Sequence, residues 1–73
     1  MEMALIIGRN IKTIRTARGM TQVTLARCVG VSQVHISSIE RGERKASISV
    51  LLKIMEALRC SPTDIMKEEE TCG

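Results

Sequence analysis

Three glycines, Gly19, Gly30 and Gly42, cut the first two-thirds of this chain into short pieces. Gly19 and Gly30 each follow a stretch whose apolar residues recur at steps of three and four, where a glycine ends a helix by taking the left-handed conformation without steric cost. Two residues after each stands a hydroxyl, Thr21 and Ser32, able to cap the next helix. This punctuation predicts a helix over about 22–28 carrying Leu25, with Val29 at the next core step, and another over about 33–41 carrying Ile36 and Ile39. Only Gly30-Val31-Ser32 separates them.

A three-residue link cannot let two helices lie side by side, so they must cross steeply, as a helix-turn-helix. A small residue, Ala26, falls where the backbones would come close. The flanking stretches are also helical. Ile7, Ile11 and Ile14 share one stripe of a first helix over about 4–18. Gly42 opens a charged loop, Ser47 caps a fourth helix over about 48–59, and Leu51, Leu52, Met55 and Leu58 are its apolar face. Ser61-Pro62-Thr63-Asp64 joins a capping serine, a proline at the first helical position and an acid at the third, so a short fifth helix starts there with Ile65 and Met66 as its apolar content. No alternating stretch competes as a strand. The expected fold is all-α, a compact five-helix bundle spanning residues 1–67, with an acidic tail over 68–73 that frays because three adjacent glutamates sit at the negative end of a helix dipole.

The 73 residues make one domain, too small to add a separate domain for a small-molecule ligand. Without a single Phe, Tyr or Trp the core must be aliphatic, with methionines filling gaps. Cys28, Cys60 and Cys72 are odd in number and widely spaced, which fits reduced thiols in a cytoplasmic protein. No apolar run approaches the roughly 18 residues that span a bilayer. The lone histidine, His35, has no Cys or carboxylate at ligand spacing, so neither a metal site nor a cofactor is expected, and no nucleophile-base or paired-carboxylate arrangement suggests an enzyme. Charge is divided unevenly. Residues 8–45 carry Arg9, Lys12, Arg15, Arg18, Arg27, Arg41, Arg44 and Lys45 against Glu40 and Glu43, a net +6, whereas residues 46–73 carry a net −2. The basic half suits a polyanion.

The stretch MTQVTLARCVGVSQVHISSIERGER resembles the Cro and phage-repressor type of helix-turn-helix, the XRE-like family: a Thr-Gln start, a Leu-Ala pair, a Gly-Val-Ser turn and an Ile-Glu-Arg-Gly finish. The matching residues are Gln22, Leu25, Ala26, Gly30, Val31, Ser32, Ile36, Ile39, Glu40, Arg41 and Gly42, and the likeness runs on into IKTIRTARG and LLKIMEALRCSPTDIM. The chain departs from the pattern at Val23 and Thr24, where relatives often carry Glu, and at Ala46, where they often carry Pro. The resemblance implies a lambda-repressor-like domain that places its third helix in the major groove of double-stranded DNA. It also implies an arginine-carboxylate bridge between Arg15 and Glu40, and a phosphate-clamping role for Gln22.

The wheel of the third helix agrees with that docking. With Ile36 at 0° and about 100° per residue, the buried direction lies near 330° and the outward direction near 150°, where Val34, Arg41, Ser37 and Ser38 cluster. Gln33 is off that axis but on the first turn, which enters a groove end-on. Gln33 suits adenine N6 and N7, Val34 a thymine methyl, and Ser37 and Ser38 base edges or phosphate. Ser32, Arg41, Arg44 and Lys45 surround the helix ends and suit backbone phosphate. One reading helix covers few base pairs, so a homodimer on a pseudo-palindromic operator is expected, with Leu58, Ile65 and Met66 as its interface. These features describe an autoregulatory transcriptional regulator. A protein-interaction module or antitoxin on the same fold is the alternative.

Overall fold

The computed structural model describes residues 3–68; the acidic tail beyond Glu68, Cys72 included, lies outside the described residues. Five helices follow in order: α1 (Met3–Ala17), α2 (Gln22–Val29), α3 (Gln33–Glu40), α4 (Ile48–Leu58) and α5 (Pro62–Met66). Their starts follow the hydroxyl caps. Thr21 accepts from the Thr24 N–H, Ser32 from His35, Ser47 from Val50 and Ser61 from Asp64, each satisfying a first-turn donor that the helix itself cannot. At Ser61 the exchange is reciprocal: the Asp64 carboxylate accepts the Ser61 N–H at 2.9 Å, and those bonds hold the Asp64 carboxyl below its usual range.

One aliphatic cluster joins all five helices: Ile11, Leu25, Ala26, Val29, Ile36, Ile39, Ile54, Leu58 and Ile65. α1 packs on α3 and α5, and α2 packs on α3 and α4. Ile7 and Ile14, expected on the core stripe of α1, are only partly buried beside fully enclosed Ile11.

The inner face of α4 differs from the expected one. Leu52 is 58% exposed, and Ile54, which the apolar pattern did not single out, is fully buried. Leu51, Ile54, Met55 and Leu58 recur at three- and four-residue steps and form the inward stripe, with Leu51 and Met55 half-buried. Because ISVLLKIMEAL is apolar almost all the way round, periodicity alone does not choose between its faces. A second correction concerns the expected dimer interface. Leu58 and Ile65 have no accessible surface, since both side chains are consumed by the chain's own core. Asn10 of α1 secures this arrangement by donating to the carbonyls of Ile65 and Lys67, both at 2.8 Å, and Arg18 Nε closes the end of α4 by donating to the Leu58 carbonyl at 2.6 Å. Of the three expected interface residues, Met66 alone remains accessible, at 42%.

Gly8 brings α1 against the end of α3. A Cβ there would run into the carbonyl of Ile39 and lie 2.8 Å from that of Glu40, both backbone groups with little room to retreat. The Gly8→Ala variant is therefore expected to lose roughly 1–3 kcal/mol, the usual cost of overpacking, seen as a lower urea midpoint at unchanged slope. Arg59 has the opposite character. It caps α4 with φ 55°, a left-handed conformation that costs an L-residue roughly 1–2 kcal/mol and a glycine little. Arg59→Gly should raise the thermal midpoint by about 4–8 °C, the shift that about 1 kcal/mol produces in a domain of this size.

Candidate nucleic-acid interface

α3 has a buried side and an outward side, and its own residues decide which is which. Ile36 and Ile39 are sealed against the cluster at 1% and 2% exposure, while Val34, two residues before Ile36, is 68% exposed. Gln33 is exposed on the first turn, and Ser37 and Ser38 are half-buried along the flanks. The outward surface is short, polar and unbranched except at Val34. A helix so presented can approach a base-lined groove closely, which bulky side chains would prevent.

Cations follow directly. Arg41, Arg44 and Lys45 are exposed at and after the end of α3. Arg41 turns back on its own neighbours: its Nη1 donates to the Ser37 hydroxyl, and its Nε pairs with Glu43 Oε2 at 3.1 Å. The guanidinium's hydrogen bond draws the Glu43 carboxyl below its usual range. Both partners are solvated, so a phosphate can replace either contact. Ser32, expected at phosphate, uses its hydroxyl oxygen to accept the His35 N–H, which leaves the hydroxyl's own hydrogen to donate to an acceptor such as a phosphate oxygen. Thr21 covers the Thr24 N–H, so the first N–H groups of α2, at Gln22 and Val23, have no acceptor within the helix and face the positive end of its dipole.

Behind this surface lies Glu40, the buried charged residue among those described, with its side chain 2% exposed. Arg15, from α1, meets it with two parallel bonds, Nε to Oε2 at 2.6 Å and Nη2 to Oε1 at 3.1 Å. The remaining Nη1 donates to the Met20 carbonyl at 2.7 Å, so one guanidinium ties α1, the turn before α2, and the end of α3. Gln22, at the start of α2, adds a bond from Nε2 to Glu40 Oε1 at 2.9 Å and accepts at Oε1 from Gln33 Nε2 at 2.5 Å. The structure thus brings Arg15, Glu40, Gln22 and Gln33 into one connected polar chain running from the interior to the outward surface. The residues expected to touch bases and those expected to hold the helix are physically linked.

Other chemistry is sparse. The described residues contain no group of three His, Cys, Asp or Glu side chains placed to hold a metal, and His35 is half-buried on the helix flank. Cys28 is exposed on α2, and burial followed by the nearby Asp64 carboxylate pushes the half-buried Cys60 thiol up, away from reactivity. No helix among the described residues is long and apolar enough to cross a membrane. Gly8, Asn10 and Arg18, which position the helices, were not singled out by sequence pattern. Gly8 had a signal, a glycine inside a helical stretch, which often marks close packing.

Comparison with known proteins adds independent support. A helix-turn-helix family model matches residues 11–65. An uncharacterized transcriptional regulator of the same type, y4dJ from Sinorhizobium fredii, is 32% identical over 66 residues, covering 90% of this chain and 86% of its own. The restriction-modification controller protein C.AhdI from Aeromonas hydrophila superposes with a TM-score of 0.80 at 32% identity, over 85% of this chain and 94% of its own. The c2 repressor of Salmonella phage P22, solved in complex with a synthetic operator, superposes with a TM-score of 0.80 at 36% identity, over 88% of this chain and 97% of the solved one. The full-length phage repressor is longer; the matched region is 29% of it. With the sealed Ile36–Ile39 side, the polar outward side and the Gly30-Val31-Ser32 link all in place, the chain belongs to the XRE-type helix-turn-helix family of DNA-binding transcriptional regulators.

Proposed function

We propose that this regulator binds a pseudo-palindromic operator as a homodimer, reading bases with Gln33, Val34, Ser37 and Ser38 and holding phosphates through Gln22, Ser32, Arg41, Arg44 and Lys45. The observation that carries this reading is the two-sidedness of α3: Ile36 and Ile39 enclosed, Val34 at 68% exposure with small polar neighbours, and three cations just beyond. In the groove the outward turn meets base edges, while the flanking charges and the open N–H groups of α2 set register on the backbone. This mechanism uses neither cofactor nor catalytic group. It places the protein with the DNA in the cytoplasm, and its own concentration is the simplest input for control of its own gene.

Pairing rests on arithmetic and on exposed surface. A single reading helix buries roughly 600–1,000 Å², too little for a selective site in a genome, and two-fold pairing doubles the contacts at half-sites roughly 34 Å apart. With Leu58 and Ile65 enclosed, the apolar side chains open to a second copy in the chain's second half are Ile48 at 75% and Leu52 at 58% exposure, one turn apart on α4, and Met66 on α5. Obligate interfaces are richest in residues of this kind.

Two measurements test the reading. Gln33→Ala should lose roughly 1–3 kcal/mol on the selected site and relax preference at one base pair, whereas Lys45→Ala should weaken all sequences alike and reduce the salt slope by about one. Equal losses on selected and random DNA for Gln33→Ala would remove it from the reading set. Sedimentation at micromolar concentration should show a dimer that Leu52→Asp or Met66→Asp converts into folded monomer. A wild-type chain that sediments as monomer with and without operator DNA defeats the pairing.

A further inference from the structure

Arg41 and Glu43 form an ion pair within the surface assigned to phosphate, and we propose that Glu43 is a specificity-determining residue: it withholds the charge of Arg41 from random DNA while leaving Arg41 able to bond a phosphate at the operator. The inference rests on the reading of α3 as the groove helix and of Arg41 as a phosphate contact. Between Met3 and Met55 the chain has two carboxylates. Glu40 is buried and held by Arg15 and Gln22, so Glu43 is the one that faces solvent there, with its side chain 61% exposed. It stands in sequence between Arg41 and the Arg44-Lys45 pair, where a polyanion must come close. Glu43 is anchored at this place. Its backbone N–H donates to the Ser38 carbonyl at 3.0 Å and that of Gly42 to the Ile39 carbonyl at 3.0 Å, so the left-handed turn at Gly42 ties it to the last turn of α3. Its carboxylate meets Arg41 with both oxygens, Oε2 at 3.1 Å from Nε and Oε1 at 3.1 Å from Nη2. An anchored pair loses less side-chain freedom than an ordinary exposed one. Arg44 and Lys45, by contrast, carry no ion pair with another described residue.

Pairing acts differently on long-range and short-range attraction. Binding to random DNA is driven by phosphate neutralisation and counterion release, which follow net charge. Arg41 and Glu43 together have none. A phosphate that displaces Glu43 leaves a bare carboxylate beside the DNA backbone, so that exchange gains no net charge. Hydrogen bonding depends instead on free N–H groups in the right place, and a guanidinium has five. Glu43 faces Nε and one N–H of Nη2, and Ser37 accepts one from Nη1, which leaves one N–H on each Nη. Gripped by Ser37 on α3 and by Glu43 on the anchored loop, the guanidinium does not swing out to follow a phosphate at an arbitrary position. It bonds one where α3 is seated on its bases and the backbone is brought to those two N–H groups. Glu43 then stays paired on the other edge, with the guanidinium between it and the phosphate. The carboxylate therefore lowers affinity for random DNA more than affinity for the operator, and that ratio decides whether one site is found in a genome.

The test compares two duplexes on the intact chain, one enriched by in vitro selection and one scrambled to the same length and composition, titrated by fluorescence anisotropy over a series of salt concentrations. Glu43→Gln should raise affinity for the scrambled duplex roughly fivefold at low salt and steepen its salt slope by about one, because Arg41 becomes a free cation. Affinity for the selected duplex should change by less than about twofold, so the ratio falls. Adding Arg41→Gln should cancel the gain on scrambled DNA together with its steeper slope, and lower affinity for the selected duplex roughly tenfold through the lost phosphate bonds. Glu56→Gln removes the same charge from an exposed position on α4 and should change neither ratio nor slope. Equal gains on both duplexes for Glu43→Gln, an unchanged slope, or the same response from Glu56→Gln would each overturn the proposal, because the carboxylate would then act only through net charge or not at all. If the added Arg41→Gln leaves the selected affinity untouched, Arg41 is no phosphate contact and the proposal falls while the reading helix stands. A wild-type chain that does not prefer the selected duplex brings down the reading of α3 itself.

Discussion

The bidentate contact between Arg15 and Glu40 is the constraint on which the rest of the architecture depends. Glu40 ends α3 inside the protein, with 2% of its side chain accessible, and removing a carboxylate from water costs several kcal/mol unless it is fully paired. Arg15 supplies two bonds to it and a third to the Met20 carbonyl, so the charge is compensated only when α1, the turn and α3 hold one mutual arrangement. A hydrophobic contact would tolerate sliding by an ångström or two. A planar guanidinium on a planar carboxylate does not, and α3 is located by direction as well as by burial.

Close backbone approach completes that location. Gly8 lets α1 lie against the carbonyls of Ile39 and Glu40, and Gly42, with φ 75°, turns the chain away where a side chain would strike Leu5. The end of α3 is therefore gripped from two sides by groups that leave no slack, while its beginning projects outward with Gln33 and Val34 exposed. A helix of eight residues has little stability of its own, and tertiary contacts must supply the rigidity that base recognition needs. The core does this with aliphatic side chains alone. Seven of them are fully buried, each contributing roughly 1.5–3 kcal/mol against the entropy of ordering the chain.

The excess positive charge and the exposed apolar residues of α4 lie in different parts of the chain. The segment from α1 through the loop after α3 carries the excess of cations, and the exposed part of α4 carries apolar Ile48 and Leu52.

Local chemistry by itself determined the helices, because each start and stop is a one-residue event. Thr21, Ser32, Ser47 and Ser61 cap where a hydroxyl before an apolar period should, and Gly19 and Gly30 take the left-handed turns that only glycine takes cheaply. The outward face of α3 was legible for a similar reason: it is the side opposite Ile36 and Ile39. Tertiary structure alone decided the matters in which more than one face was suitable. α4 is apolar nearly all round, so its inward stripe, with Ile54 in and Leu52 out, depends on where α2 lies. Ile65 looked available for a partner until Asn10 drew α5 onto α1 and enclosed it. The link from Glu40 through Gln22 to Gln33 joins residues 18 and 11 positions apart in the chain, a distance at which no helical period speaks, and it exists because the packing of α2 on α3 brings their first turns together above a buried charge.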